Sequence, residues 1–271
     1  MRVVVCVKHV PDVQSERRFR DDGLLQRGGD DDTLNELDED ALEAGLRLVE
    51  AHPVADGQPA HDVVVLTAGP APAVEALRRG LAMGATTAVH VLDDAVAGSD
   101  AIATARVLGA AVATLHAEAP VDVVVAGMAA LDGLTSLVPA ALAAVLEWPQ
   151  LTLADRVDVD PAARTVEVRR ETSTAVETLT APLPAVVSVT DQAFRARFPA
   201  FAGILAARKA PVRVLDLAAL GLDPASVGLA GSTTRVVETS VRPERPDRVL
   251  VTDDGSAALA LAEYLAQKGF A

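Results

Sequence analysis

Between Gly127 and Val138 the chain reads GMAALDGLTSLV, and its glycines, hydroxyls and carboxylate are the groups that could do chemistry on an anion. Gly127 and Gly133 permit positive φ and close backbone approach, Thr135 and Ser136 supply hydroxyls, and the apolar helix that follows presents unpaired N–H groups toward a phosphate. The run Val123 to Ala126 that feeds this loop is apolar throughout, as in a parallel strand covered on both faces. Such a strand delivers its loop to the carboxyl edge of a sheet, where α/β folds bind ligands. The segment reads either as the phosphate loop of a nucleotide site or as a plain strand-to-helix turn, and the motif alone is too loose to choose.

Other chemistry is thin. There is no GxSxG elbow, HExxH helix or GxxxxGK[ST] loop, so no catalytic residues are assigned. His9, His52, His61, His90 and His116 are scattered without metal-ligand spacing. The acidic runs Asp30 to Asp32 and Asp38 to Asp40 read as a solvated loop and a helix N-terminus, where the dipole favours carboxylates, with Asp38 kept as a ribose or base contact. Lys8 leaves the first strand at the ligand edge and reads either as a solvated terminus or as a site residue. Glu171, after Arg169 and Arg170, reads on its own as a surface charge at a strand end. The lone Cys6 lies inside the first apolar strand, which excludes an intrachain disulfide or a multi-cysteine metal site and suits a small core residue.

The elements that must position these groups alternate. Strands are expected at Arg2 to Val7, in DVVVLTAGP before the breakers Gly69, Pro70 and Pro72, and at Thr87 to Leu92, and helices at Glu36 to Glu50, Ala73 to Gly84 and Ser99 to His116. This alternation implies a mostly parallel, doubly wound α/β sheet with right-handed crossovers. After Pro149, β-type runs at Arg164 to Arg170, Ala175 to Leu179 and Ala185 to Val189 suggest a hairpin added to that sheet. The stretch FRARFPAFAGILAARKA then gathers three of the five Phe residues among basic side chains. Residues from about Leu222 to Asp247 look like an extended arm, and a final helix carries Leu259, Leu261, Ala262 and Leu265 as its apolar positions.

With 271 residues, 50% of them hydrophobic but only 3% aromatic, the chain can bury a sizeable core built from Val, Leu, Ala and Ile. A formal charge of −14 opposes nucleic acid and anionic membranes, which need Lys and Arg against phosphate. MRVVVCVK reads as a first strand rather than a signal peptide, and no apolar run reaches the ~18 residues of a membrane span, so a soluble, cytoplasmic protein is expected.

VVVCVKHVPD, LNELDEDALEAGLRL, VVVLTAGPAPAVEALRRGLAMGATTAVHV, GSDAIATARVL, DVVVAGMAALDG, WPQLT, VRRET, LPAVVSV and RFPAFAGILAARK occur in an order and spacing that resembles the β subunit of electron-transfer flavoprotein, in its actinobacterial form, over nearly the whole chain. The resemblance implies a Rossmann-like fold of the adenine nucleotide α-hydrolase type. It implies a heterodimer whose redox-active FAD is held mainly by an α subunit, with a structural AMP in this chain and no catalysis by this chain alone. By matched position AMP contacts would come from Cys6, from Asn35, Glu36, Leu37 and Asp38, from Ala68, and from Gly127, Met128, Ala129, Ala130, Leu131, Asp132, Gly133, Leu134, Thr135, Ser136, Leu137 and Val138.

The loop at about 194–207 matches the family's recognition segment, with Phe198 at the docking anchor and Phe201, Ile204 and Leu205 beside it, and Glu171 matches a glutamate that pairs with an arginine of the α subunit. Electrons would arrive from acyl-CoA or related dehydrogenases, as in fatty-acid β-oxidation, and leave toward a quinone-reductase-type acceptor. On this reading residues 1–221 form the nucleotide-binding domain, and 222–271 form an arm and helix that pack on the α subunit. The sequence departs from the family at Met128 and Ala129, where many relatives carry polar residues, at Leu134 and Leu137, and at Asp191 to Phe194. These departures predict fewer polar nucleotide contacts, or a different occupant such as a second FAD, and an altered partner choice. A stand-alone adenine-nucleotide sensor is the alternative, and an ATP-using ligase or hydrolase would need an SGGxDS-type loop that is absent.

Overall fold

A computed structural model describes residues 1–54, 57, 60–244 and 248–270. In chain order the strands are β1 (Arg2–Cys6), β2 (His9–Pro11), β3 (Asp32–Leu34), β4 (Asp62–Ala68), β5 (Thr87–Val91), β6 (Val123–Gly127), β7 (Gln150–Ala154), β8 (Arg156–Asp160), β9 (Thr165–Glu171), β10 (Val176–Pro182), β11 (Ala185–Val189) and β12 (Arg213–Leu215). The helices are α1 (Glu36–Glu50), α2 (Val74–Met83), α3 (Ala101–Glu118), α4 (Val138–Leu146), α5 (Phe201–Lys209), α6 (Gly228–Gly231) and α7 (Ala257–Gln267).

Seven strands form one sheet in the order β12-β5-β4-β1-β6-β11-β7, and every pairing in it is parallel. Its inner strands are apolar on both faces because helices cover both. Val3, Val5, Val63 and Val65 pack with Leu42 and Leu46 of α1 and with Leu77 of α2, whereas Val4, Cys6, Val64 and Leu66 pack with Val107, Leu108 and Leu115 of α3 and Leu142 of α4. Side-chain alternation along each strand thus separates two cores by one sheet thickness.

The added hairpin differs from expectation. β9 and β10 do pair antiparallel, but with β8 they make a separate three-stranded sheet, and the third run, β11, enters the main sheet between β6 and β7. The alternating pattern of β8 and β9 buries Val157, Val159, Val166 and Val168 against the α1 side of the core and leaves polar residues outside. The fully buried β11, apolar but for Ser188, needs cover on both faces, which only the main sheet provides.

The chain divides into Met1–Val237 and Glu238–Ala271, a later boundary than the expected 221/222. The cause is a set of tethers on the arm. Asp100, at the N-cap of α3, accepts N–H bonds from Thr233 at 2.7 Å and Thr234 at 2.8 Å, and Ser232 accepts from the Asp100 amide at 2.8 Å. The end of the expected arm, Arg245 to Asp247, lies outside the described residues. In the second unit α7 has no buried residue, and Leu259, Leu261 and Tyr264 are exposed. Among the described residues no helix is long and apolar enough to cross a membrane.

Candidate functional site

From β1 the chain runs to β4 and β5 on one flank, then returns to β6 on the other. The carboxyl ends of β1 and β6 therefore flank a topological switch point, the place where open α/β sheets bind ligands. Cys6 and Lys8 lie at the end of β1, Gly127 closes β6, and Ala68 closes the neighbouring β4. Asn35, fully buried just before α1, ties these pieces together. Its Nδ2 donates to the Ala129 carbonyl at 3.0 Å, its Oδ1 accepts the Leu131 N–H at 2.9 Å, and its own amide donates to the Lys8 carbonyl at 2.9 Å. One buried residue thereby fixes the loop after β6, through its side chain, against the end of β1, through its backbone amide.

The glycines act differently from expectation. Neither Gly127 nor Gly133 adopts positive φ. Gly127 is required by close approach, since a Cβ there would lie 2.6 Å from Asp38 Oδ1 and 2.7 Å from the Leu37 carbonyl, while one at Gly133 would meet nothing within 4 Å. The left-handed positions fall instead on Leu134 and Ser136, each with φ of 49°. Each costs about 1 kcal/mol or more, a strain typical of ligand-binding loops. Thr135 and Ser136 are exposed, and α4 begins at Val138 with no side-chain cap at Leu137; Pro139 has no N–H, so Val138 and Ala140 carry the first-turn amides that no side chain caps.

Charge at the crevice is arranged around Asp132, whose side chain is 0% exposed. Lys8 Nζ donates to Oδ1 at 2.9 Å, and Arg27 donates to Oδ2 through Nε at 2.8 Å and Nη2 at 2.6 Å. Burial opposes ionisation of Asp132, but Lys8 and Arg27 outweigh it and hold the carboxyl below the usual carboxylate range. Burial and then the Arg27 charge push the Lys8 ammonium down. Arg17 adds a bond to the Leu131 carbonyl at 3.0 Å. The polar segment between β2 and β3 thus folds onto the loop through Arg17 and Arg27, neither of which the sequence reading singled out. The signal was there as arginines concentrated in RRFR and at Arg27 of an acidic chain.

Asp38 is 6% exposed and faces inward. Its Oδ2 accepts the Lys8 amide at 2.9 Å, and burial pushes its carboxyl up to about 7 against the opposing bonds from Asn35 and Lys8. The Cys6 thiol is pushed up to about 12 by burial and the nearby Asp38, which leaves it protonated and unreactive at neutral pH. Ala129 is buried, whereas Met128 lies beside Glu171, Asp155, Leu153 and Thr190 around a cavity of about 530 Å³. Glu171 closes β9 with its carboxylate 3.1 Å from Arg169, whose other branch pairs with Asp155.

The aromatic segment lies elsewhere, against α1 and α2. Phe198 is 86% and Phe201 75% exposed, and Leu205, one turn after Phe201, is also exposed. Ile204 is half-buried, because Gly203 brings α5 so close to α2 that a Cβ there would sit 2.6 Å from the Ala82 carbonyl. Among the described residues no three His, Cys, Asp or Glu side chains group to hold a metal ion. The structure therefore brings Cys6, Asn35 to Asp38, Ala68 and Gly127 to Val138 to one sheet edge, and it leaves Phe198, Phe201 and Leu205 as a separate apolar surface.

Comparison with known proteins gives the family. The family model described as electron transfer flavoprotein domain matches residues 22–220. The electron transfer flavoprotein subunit beta of Mycobacterium tuberculosis is 42% identical over 98% of this chain and 98% of its own, and that of Megasphaera elsdenii is 32% identical over 99% of each. Protein FixA of Azotobacter vinelandii is 33% identical over 100% of this chain and 95% of its own. With likeness of this extent running through both the crevice and the aromatic segment, the chain belongs to the electron transfer flavoprotein family, among its β subunits.

Proposed function

We propose that this chain is the β partner of a heterodimeric electron carrier, that it holds AMP in the switch-point crevice, and that the Phe198 to Leu205 surface docks an acyl-CoA or related dehydrogenase. The observation that carries the nucleotide reading is the uncapped start of α4 beside a strained, Asn35-clamped loop. The Val138 and Ala140 amides and the Thr135 and Ser136 hydroxyls would hold the phosphate, with Lys8 and Arg27 supplying positive charge nearby. The small side chains of Cys6 and Ala68 leave room at the strand ends for the nucleoside. The apolar residues at Met128 and Ala129 do not count against this. Ala129 points into the core, and the loop is held through its backbone, by Asn35 at the Ala129 carbonyl and by the Met128 amide, which donates to Val189 at 2.9 Å.

When bound between the subunits, FAD supplies the redox chemistry. The contribution of this chain is to scaffold and to dock. Glu171, exposed at the rim of the Met128 cavity, would meet a cationic group of the α subunit, and the exposed apolar side of α7 suits a partner surface. Phe198 and Phe201 offer the aromatic anchors that a transient interface uses. A quinone-reductase-type protein would be the acceptor.

The test is to co-express the chain with its α subunit, purify the complex, denature it and quantify released FAD and AMP. One of each per heterodimer is expected. Two FAD without AMP would replace AMP by a second flavin in the crevice. One FAD and no nucleotide would refute the crevice as a nucleotide site.

A further inference from the structure

Among the described residues, the most extensive ion network outside the crevice lies under the aromatic segment. One face of α1 carries Asp40, Glu43, Arg47 and Glu50, and the chain from Phe194 to Arg197 rests on it. Arg197 bridges two carboxylates that stand two turns apart. Its Nε donates to Glu43 Oε2 at 2.7 Å, its Nη1 to Glu50 Oε1 at 2.6 Å and its Nη2 to Glu50 Oε2 at 2.9 Å, while its backbone amide reaches Glu43 at 3.3 Å. Glu43 is 2% exposed and also accepts from Arg47 at 2.6 Å, and the Arg47 guanidinium lies 5.3 Å from the Phe194 ring centre. On the far side α5 is fixed to α2, where Arg78 donates to the Ala207 carbonyl at 2.7 Å. Only Phe198 to Phe201 spans the gap between these two fixed points, and both of its rings are outside.

Two exposed phenylalanines on a slack segment would fold back onto apolar surface, because burying each ring is favourable. Held at both ends, they cannot. We propose that Arg197 is a positioning residue, an ionic latch that fixes the segment against α1 and presents Phe198 and Phe201 as a preorganised pair for the partner. The proposal rests on the docking reading above. The latch lowers the ordering cost of association and touches no partner atom itself.

The experiment compares the αβ complex with its Arg197→Ala, Arg197→Lys, Glu50→Gln and Phe198→Ala variants. Amide exchange of peptides covering 194–200 reports the latch, and the KM of the complex with an acyl-CoA dehydrogenase from the same cell reports docking. Charge-assisted bonds to a buried carboxylate restrain local opening, so Arg197→Ala should speed exchange there roughly tenfold without changing the α1 peptides. Glu50→Gln leaves Glu43 paired and should give a smaller rise, and Arg197→Lys a partial one, since an ammonium cannot span both carboxylates. KM should rise in step with exchange while kcat is held. Phe198→Ala should raise KM and leave exchange unchanged. Wild-type exchange in both Arg197→Ala and Glu50→Gln would overturn the latch. Faster exchange with wild-type KM, when Phe198→Ala does raise KM, would overturn its positioning role. A wild-type KM in Phe198→Ala would refute the docking reading and the proposed purpose of the latch together.

Discussion

Replacing Gly127 by Ala tests how the crevice is built. The added Cβ would lie 2.6 Å from Asp38 Oδ1 and 2.7 Å from both the carbon and the oxygen of the Leu37 carbonyl. Two of those atoms are backbone at the start of α1, so relief requires the helix N-terminus or the end of β6 to move. Overpacking of this kind costs about 1–3 kcal/mol, and contact with fixed backbone puts this site near the upper end. For a unit of this size about 1 kcal/mol corresponds to roughly 2–4 °C, so a melting-temperature drop on the order of 6–12 °C is expected. The same displacement would pull Asn35 from the Ala129 carbonyl and the Leu131 amide, so AMP recovered from the purified αβ complex should fall well below one per heterodimer. Gly133→Ala is the matched control. A Cβ there meets nothing and φ is not positive, so stability should change by no more than about 0.5 kcal/mol. Calorimetry and nucleotide analysis of both variants decide the matter. A Gly127→Ala complex that melts within about 2 °C of wild type and keeps its AMP would show that close approach does not govern this position.

Asp132→Ala should free Arg27 and Lys8 and loosen the segment between β2 and β3. Because both cations are more than a third exposed, the expected loss is only about 1 kcal/mol, but trypsin cleavage after Arg17 to Arg27 should accelerate, and unchanged cleavage would contradict the tether. Asp38 has a carboxyl pushed up to about 7, against about 4 when unfolded, so the folded state binds more protons between those values and stability declines as pH rises through that window, then levels. Asp38→Asn should remove that component, which denaturant midpoints of both proteins at pH 5 and 8 will show; an identical pH slope in the two would rule it out. Burial opposes ionisation of Asp100, but the Ala103 amide and the amides and hydroxyls of Thr233 and Thr234 hold its carboxyl well below the usual range. Its stabilisation is therefore present above about pH 4 and lost as pH falls through the folded value. Asp100→Ala should cost on the order of 1–2 kcal/mol at pH 7 and much less in acid, and an acid-independent difference in melting temperature would refute this.

The amino-acid sequence by itself determined the parallel α/β class, the main helices and the loop after β6, because uninterrupted apolar runs and 3.6-residue periodicity are local properties of each segment. It also carried the family resemblance and marked the Phe198 segment by composition alone. Tertiary structure decided which strand lies beside which. β11 reads like the third member of a hairpin, yet it inserts between β6 and β7 because its five buried residues need cover on both faces. Only the folded chain revealed that Gly127 serves close approach while Leu134 and Ser136 take the left-handed positions, since both depend on what α1 places against the loop. The Asn35 clamp, the Lys8–Asp132–Arg27 arrangement and the Arg197 latch join residues far apart in the chain. A contact of that kind has no period and no local signature. It exists only when burial of the apolar elements has brought its two ends within bonding distance, and a buried polar group must then find a partner there.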